Sequence, residues 1–168
     1  TDLSIHQPTI VSGLAYGIDI AAHKAALKNN LSTIGVLAIG LDDFYPKTHF
    51  NTAQKMMEKG GIASDYLSKT QLLPTNFAER NRIVAGMADA VVVIESSSKG
   101  GSLITADLAN GYNRDVFAVP GRLDDKQSAG CNRLIKTNKA ALIESAKDIE
   151  YVLGWVKETQ TRNKTIQK

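Results

Sequence analysis

Six short apolar runs alternate with longer stretches of helical periodicity. The runs are TIVS (9–12), TIGVLA (33–38), GIAS (61–64), DAVVVIE (89–95), DVFAVP (115–120) and AALI (140–143). Several are unbroken in Val, Ile and Ala, the pattern of strands buried on both faces. Between them, apolar positions recur at helical spacing over 18–29, 48–59, 77–88, 102–112 and 145–156. Asp19 is placed to cap the first of these helices and Ser145, ahead of Asp148, to open the last. Gly60 and Gly61 are placed to stop the second. Strand–helix alternation of this kind predicts an α/β fold with a parallel sheet. Ligands of such sheets bind beyond the C-terminal ends of the strands, so the loops after the strands carry the chemistry. No repeat, low-complexity segment or internal boundary interrupts the pattern.

Composition narrows the class. The 168 residues are enough for one domain with a real core. With 43% hydrophobic and 22% charged residues the chain fits a soluble globular protein. No apolar run approaches the length of a membrane span. The opening TDLSIHQPTIVSG has neither a basic head nor an apolar stretch, so no signal peptide is expected. A lone cysteine, Cys131, forms no internal disulfide, and a reducing cytoplasm is the expected location. The net charge of +3 permits an anionic partner without requiring one. Residues 1–156 are expected to form the core. The stretch 157–168, with Lys157, Arg162, Lys164 and Lys168 against Glu158, reads as a solvated basic tail or linker.

The loops differ in what they offer. After the first strand, Gly13 and Gly17 flank a short turn leading into a helix, where backbone N–H groups can approach an anion. No GxGxxG occurs, which argues against a dinucleotide site. His23 lies four residues after Asp19 on the same helix face, and a hydrogen bond between them is favoured over catalysis. After the second strand, Tyr45 and Pro46 stiffen a loop that leads to Lys47; Asp42, Asp43 and His49 lack the spacing of a metal site. After the third, Phe77, Arg80, Asn81 and Arg82 gather where a helix begins. Arg80 and Arg82 point in different directions, so one can reach a ligand while the other braces the loop or a carboxylate. Phe77 is either core or a stacking platform beside the arginines.

The densest stretch is IESSSKGGSLITADLANGY (94–112). Lys99, Gly100, Gly101, Ser102 and Thr105 stand at a strand-to-helix junction, where free N–H groups and hydroxyls would hold one phosphate. The competing reading makes Ser102 a helix cap; Lys99 favours the anion, because a cap needs no added charge. After the fifth strand, Gly121 and a long polar loop lead to Asn132, which could close over a bound chain, and Cys131 has no base near it in sequence. No catalytic set, Walker motif or metal cluster is present, so anion binding is better supported than catalysis, and neither a cofactor nor a metal is expected.

Five ordered segments, VSGLAYGIDIAAHKAAL, GLDDFYPK, FAERNRIVAGMADAVVVIES, KGGSLITADLA and DVFAVPG…SAGCNRLI, resemble successive motifs of the DprA/Smf family of bacterial DNA-processing proteins. The likeness spans nearly all of residues 9–145. It implies a Rossmann-like core, mostly parallel with helices on both faces, that binds single-stranded DNA without strong sequence preference. It also implies dimerisation, RecA loading in natural transformation, and no enzymatic activity. Carried over by position, Gly101, Ser102 and Thr105, with Lys99 and Gly100, would meet phosphate. Arg80, Asn81 and Arg82 would line a basic pocket with Lys47 adding charge, Phe77 would stack on a base, and Gly13 would form the wall; Gly121 and Asn132 complete the expected set. The family's first strand, with a Gly-Ser/Thr-Arg motif, is not found here, nor are its N-terminal helical and C-terminal winged-helix-like domains, so the chain reads as a core fragment. Pro74, Thr75 and Asn76 stand where members often place a basic residue before the phenylalanine.

Two alternatives belong to other classes. A nucleotide-processing enzyme of the lysine-decarboxylase-like group would need a PGGxGTxxE loop, whereas here Asp107 follows Thr105 by two residues and no glutamate follows. A protein-interaction module would use surfaces such as the terminal helix with Ile149, Val152, Leu153 and Trp155, although that helix is expected to pack on its own sheet.

Overall fold

The computed structural model describes residues 2–155. After a 3-10 turn at Asp2–His6 come β1 (Ile10–Ser12), α1 (Ile18–Lys28) and β2 (Thr33–Val36). A second 3-10 turn, Lys47–His49, leads into α2 (Phe50–Met56), β3 (Gly61–Ala63), α3 (Pro74–Met87) and β4 (Ala90–Val93). The chain continues through α4 (Gly101–Gly111), β5 (Asp115–Ala118), α5 (Ala129–Lys136), β6 (Ala141–Leu142) and α6 (Ala146–Val152). All six expected strands are present and every pairing is parallel, the α/β class read from the sequence. They form two sheets, β1-β2-β3 and β4-β5-β6, rather than one.

The register sets β1 against β2 at Ile10–Thr33 and β4 against β5 at Ala90–Asp115. Helices α1 and α2 pack on the first sheet, and α4 and α5 on the second. Helix α3 bridges the two halves, packing along α4 and reaching β1 and β2. Small residues allow its close approach to α4: Ala85, Ala106 and Ala109 are fully buried in a cluster with Val93, Val116 and Leu134. A second cluster joins Leu14, Leu37, Ile39, Ala53 and Met56, and a third joins Phe117, Ile143 and Ile149. Leu3 packs on the third, and His6 Nε2 meets Glu150 Oε1 at 2.9 Å, which ties the start of the chain to α6.

Several local expectations change. Helix α5 occupies a stretch that reads as loop; its identity comes from Cys131 and Leu134, both buried against the second sheet, more than from propensity. The helix expected at 48–59 is shorter and begins with the Lys47–His49 turn. Helix α3 starts three residues early, at Pro74, because proline suits the first helical position. Gly60 ends the second helix as expected, donating to Met56 O at 2.8 Å, whereas Gly61 belongs to β3. Ser145 and Asp148 form the expected cap of α6. That helix ends at Val152, and the expected tail, 157–168, lies outside the described residues.

Candidate nucleic-acid interface

The loop after β1 turns through Leu14, a fully buried leucine held in the left-handed region at φ 60°. A non-glycine residue there costs on the order of 1 kcal/mol, so the surroundings must fix it. They do so with three hydrogen bonds. Gly13 N–H and Ala15 N–H donate to Asp19 Oδ2 at 2.9 and 3.2 Å. His49 Nδ1–H donates to Leu14 O at 2.8 Å. Asp19 therefore does not cap α1, whose N-cap is Gly17 without a side-chain bond. Its carboxylate clasps the loop instead.

Arg80, on α3, completes the brace. It is only 4% exposed. Its Nη1 donates to Gly13 O at 2.6 Å and to Val36 O, and its Nε donates to Asn81 Oδ1. The Val36 carbonyl needs this donor because β1 leaves the sheet after Ser12, beside the end of β2. Burial lowers the Arg80 pKa from its usual value, and Asp19 opposes the shift; an arginine stays charged regardless. Of the two arginines, Arg80 is the brace. Arg82 pairs with Asp65 on the surface.

Gly13 is required by this packing, since a Cβ there would lie 2.3 Å from the Arg80 guanidinium. His23 does not bond Asp19 either. Thr33 Oγ1 donates to Ile10 O at 2.9 Å, so His23 Nδ1–H donates to Thr33 Oγ1 at 2.6 Å. That leaves Nε2 as a buried bare acceptor without a partner. Burial drives the His23 pKa down to about 4, with Asp19 opposing the shift and His49 adding to it.

Opposite this loop, α4 begins at Gly101 with Gly100 as its N-cap and no side-chain cap. Ser102 thus does not cap its own helix. The first-turn N–H groups and the Ser102 and Thr105 hydroxyls border a cavity of about 590 Å³ together with Gly13, Phe77 and Arg80. Asn81, also on its wall, donates from Nδ2 to Gly101 O at 3.5 Å and links α3 to the start of α4. A smaller cavity of about 200 Å³ adjoins it and shares Gly13, Phe77 and Arg80. Its rim is aromatic: Tyr45 meets Phe77 edge-on at 5.9 Å, and Tyr16 is 63% exposed. The sequence reading missed Tyr16, although an aromatic in a loop at the C-terminal edge of a sheet was a signal for it.

Seven of the expected residues, Gly13, Phe77, Arg80, Asn81, Gly101, Ser102 and Thr105, thus line one cavity. The others do not. Gly100 and Lys99 lie just before α4, with Lys99 exposed. Lys47 is exposed and lines neither cavity, although its neighbour Pro46 lines the smaller one. Gly121 and Asn132 bond each other, N–H to Oδ1 at 3.1 Å and Nδ2 to O at 3.0 Å, so the Asn132 amide clamps its own loop. Asp107 is held by Lys139 Nζ at 2.8 Å. Cys131 is buried with its pKa raised by desolvation, an unreactive setting for a thiol. Asp42 Oδ2 accepts from Lys69 N–H and Asp43 Oδ1 from Phe44 N–H, so both carboxylates serve loops.

Residues 1–154 match the family described as DNA recombination-mediator protein A. The chain belongs to that family. DNA processing protein DprA of Streptococcus pneumoniae is 45% identical over 140 residues, 83% of this chain and 49% of that protein. Protein Smf of Escherichia coli K12 is 39% identical over 152 residues, 88% of this chain and 41% of that protein. The chain thus spans about half or less of these relatives. Among solved structures, pneumococcal DprA superposes with a TM-score of 0.77 at 43% identity, covering 85% of this chain and 50% of the other. DNA processing protein A of Helicobacter pylori, solved for its single-stranded DNA binding mode, gives 0.81 at 31% identity, covering 92% and 69%. As a DNA recombination-mediator protein A family member, the chain carries a core shared by proteins of DNA processing and recombination. Among the described residues no helix is long and apolar enough to cross a membrane.

Proposed function

We propose that this chain binds single-stranded DNA without strong sequence preference, at the edge formed by the Gly13 loop, α3 and the start of α4. The observation that carries the reading is the uncapped N-terminus of α4 opening into the same cavity as Phe77. A helix N-terminus attracts phosphate through free N–H groups and its dipole. The aromatic rim of Phe77, Tyr45 and Tyr16 offers sequence-tolerant stacking. Exposed Lys47 and Lys99 flank the two cavities and add counterion-releasing charge. The protein acts as a binding mediator rather than an enzyme; it works in the cytoplasm, dimerises and helps load RecA. This reading assigns the binding core to residues 1–156 and a basic tail or linker to the sequence 157–168. The nucleotide-processing alternative gains nothing from Asp107, which is paired with Lys139.

Fluorescence anisotropy with labelled oligo-dT, and with a duplex of equal length, across a salt series tests the reading. Ser102→Glu is the informative variant. A glutamate in the first turn suits the helix dipole and leaves stability unchanged within about 0.5 kcal/mol. It also places an anion where phosphate would lie, and single-strand affinity should fall more than about tenfold. Phe77→Ala should cost about 1–3 kcal/mol of binding. A folded wild type that shows no preference for the single strand, or a folded Ser102→Glu that binds as the wild type does, overturns it.

A further inference from the structure

Helices α1 and α2 pack side by side on the first sheet. Each follows one parallel strand and leads back to the start of the next, so both run away from the edge that carries the candidate interface. The pair is tied at both ends. Tyr16 Oη and Thr48 Oγ1 share a hydrogen bond at 3.2 Å just before the two helices begin. Lys59 Nζ donates to Asn30 Oδ1 just after they end. The upper tie stands at the interface, because Tyr16 lines both cavities.

The outward side of this pair is cationic. The helices bury His23, Ala26, Ala53 and Met56, and leave Lys24, Lys28, Lys55 and Lys59 exposed. At about 1.5 Å per residue, Lys24 and Lys55 both lie about 8 Å below the start of their helices. Lys28 and Lys59 follow one turn further, at the lower tie. The four lysines thus form two rungs, and exposed Lys47, next to Thr48, stands above them at the rim. Among the described residues none of these five is in an ion pair, whereas Arg82, Arg122 and Lys139 are paired with acids. Of the acids between residues 18 and 59, Asp19, Asp42 and Asp43 are held by loop N–H groups, which leaves Glu58.

Folding does not ask for this arrangement. Like charges four apart on a helix, as Lys24 and Lys28 are, cost about 0.2–0.5 kcal/mol. Ala21 and Ala25, small and exposed, leave the surface of α1 open to a chain laid along it. A protein partner fits poorly, since the centres of such interfaces are poor in lysine and rich in aromatic anchors. A linear polyanion fits well: its charge complements the rungs, and its path continues from the cavity through Lys47.

We propose that the α1–α2 face is a second backbone track, along which single-stranded nucleic acid leaving the cavity continues past Lys47 to Lys24 and Lys55 and then to Lys28 and Lys59. The inference rests on the single-strand reading and extends it: the cavity and its rim hold a few nucleotides, and the track sets how much a longer strand gains.

Fluorescence anisotropy with oligo-dT of about 6 and about 20 nucleotides, across a salt series, reads the two parts separately. The variant K24Q/K28Q/K55Q/K59Q should bind the short strand as the wild type does. It should bind the long strand at least about tenfold more weakly at low salt, with a log–log salt slope shallower by about 3, at about 0.7 per lost phosphate contact. Arginine at all four positions should restore both. A control lacking four other exposed cations, R114Q/R133Q/K136Q/K147Q, carries the same net charge and should keep the long-strand gain. Should the fourfold variant melt early, K24Q/K28Q and K55Q/K59Q should each show about half the loss. A wild type that prefers no single strand overturns the single-strand reading and this proposal together. A wild type that binds, beside a lysine variant that keeps the full long-strand gain, overturns the track alone and hands the face to another polyanion. An equal loss in the control also overturns the track, because diffuse charge then accounts for the gain.

Discussion

Replacing Arg80 by methionine keeps most of the aliphatic volume and removes the guanidinium, separating the brace from any ligand contact. Two carbonyls, Gly13 O and Val36 O, lose their donor in a site where Arg80 is 4% exposed. An unsatisfied buried acceptor costs about 1–3 kcal/mol, so the pair costs about 2–6 kcal/mol. Losing the Nε contact to Asn81 adds little, because Asn81 is partly exposed and finds water. Against a typical total of about 5–15 kcal/mol, that is a large share of the stability. For a chain of this size that lowers Tm by roughly 10–15 °C. Urea titration followed by circular dichroism reads the change, with Arg80→Lys as a partial rescue that keeps charge but not the two-carbonyl geometry. A Met variant within about 1 kcal/mol of the wild type, with single-strand affinity reduced more than tenfold, would refute the assignment and return Arg80 to the ligand-contacting group.

Two further outcomes follow from buried geometry. His23 titrates near 4 in the folded chain against an ordinary 6.5. The unfolded chain takes up a proton that the folded chain refuses, so stability is full above pH 6.5 and falls toward pH 4, by about 3 kcal/mol. Urea midpoints between pH 4 and 7 should show this slope, and His23→Leu should flatten it; an equal slope in the variant would assign the effect elsewhere. Gly60→Ala would set a Cβ 2.0 Å from Thr33 O, a backbone atom of β2. The turn between α2 and β3 must then shift, at a cost above about 2 kcal/mol; thermal melting within 2 °C of the wild type would show that the turn yields more easily than the packing implies.

The strands were legible because parallel strands covered by helices announce themselves as apolar runs. Their ends were not: Leu37, Ala38 and Ile39 are buried beyond the end of β2, so apolar character continues where the ladder has stopped. Helix α5 was invisible because its eight residues include Gly130 and Asn132, and Gly130 is there to let the backbone reach Ser96 O at 2.8 Å. The site was legible as residue types clustered after strands. Which arginine reaches inward was not, because that depends on β1 leaving the sheet beside Val36. The division into two sheets left no trace in the apolar runs themselves, since a strand with an open edge and a central strand carry the same Val-rich run.

At the candidate interface the polar side chains therefore divide by task. Asp19, His49 and Arg80 are spent on the backbone of residues 13–15, fixing a left-handed leucine and the cavity wall. Such preorganisation spares a ligand the ordering of that loop. Arg80 still contributes positive potential to the cavity, though the nearby Asp19 carboxylate offsets part of it. What remains free to meet an anion is the N-terminus of α4 and the exposed lysines at the rim. Fixed N–H groups lose little to salt, whereas exposed lysines lose much. Proposed single-strand binding should then separate into two parts: a salt-sensitive affinity carried by Lys47 and Lys99, and a salt-resistant remainder carried by α4 and the aromatic rim.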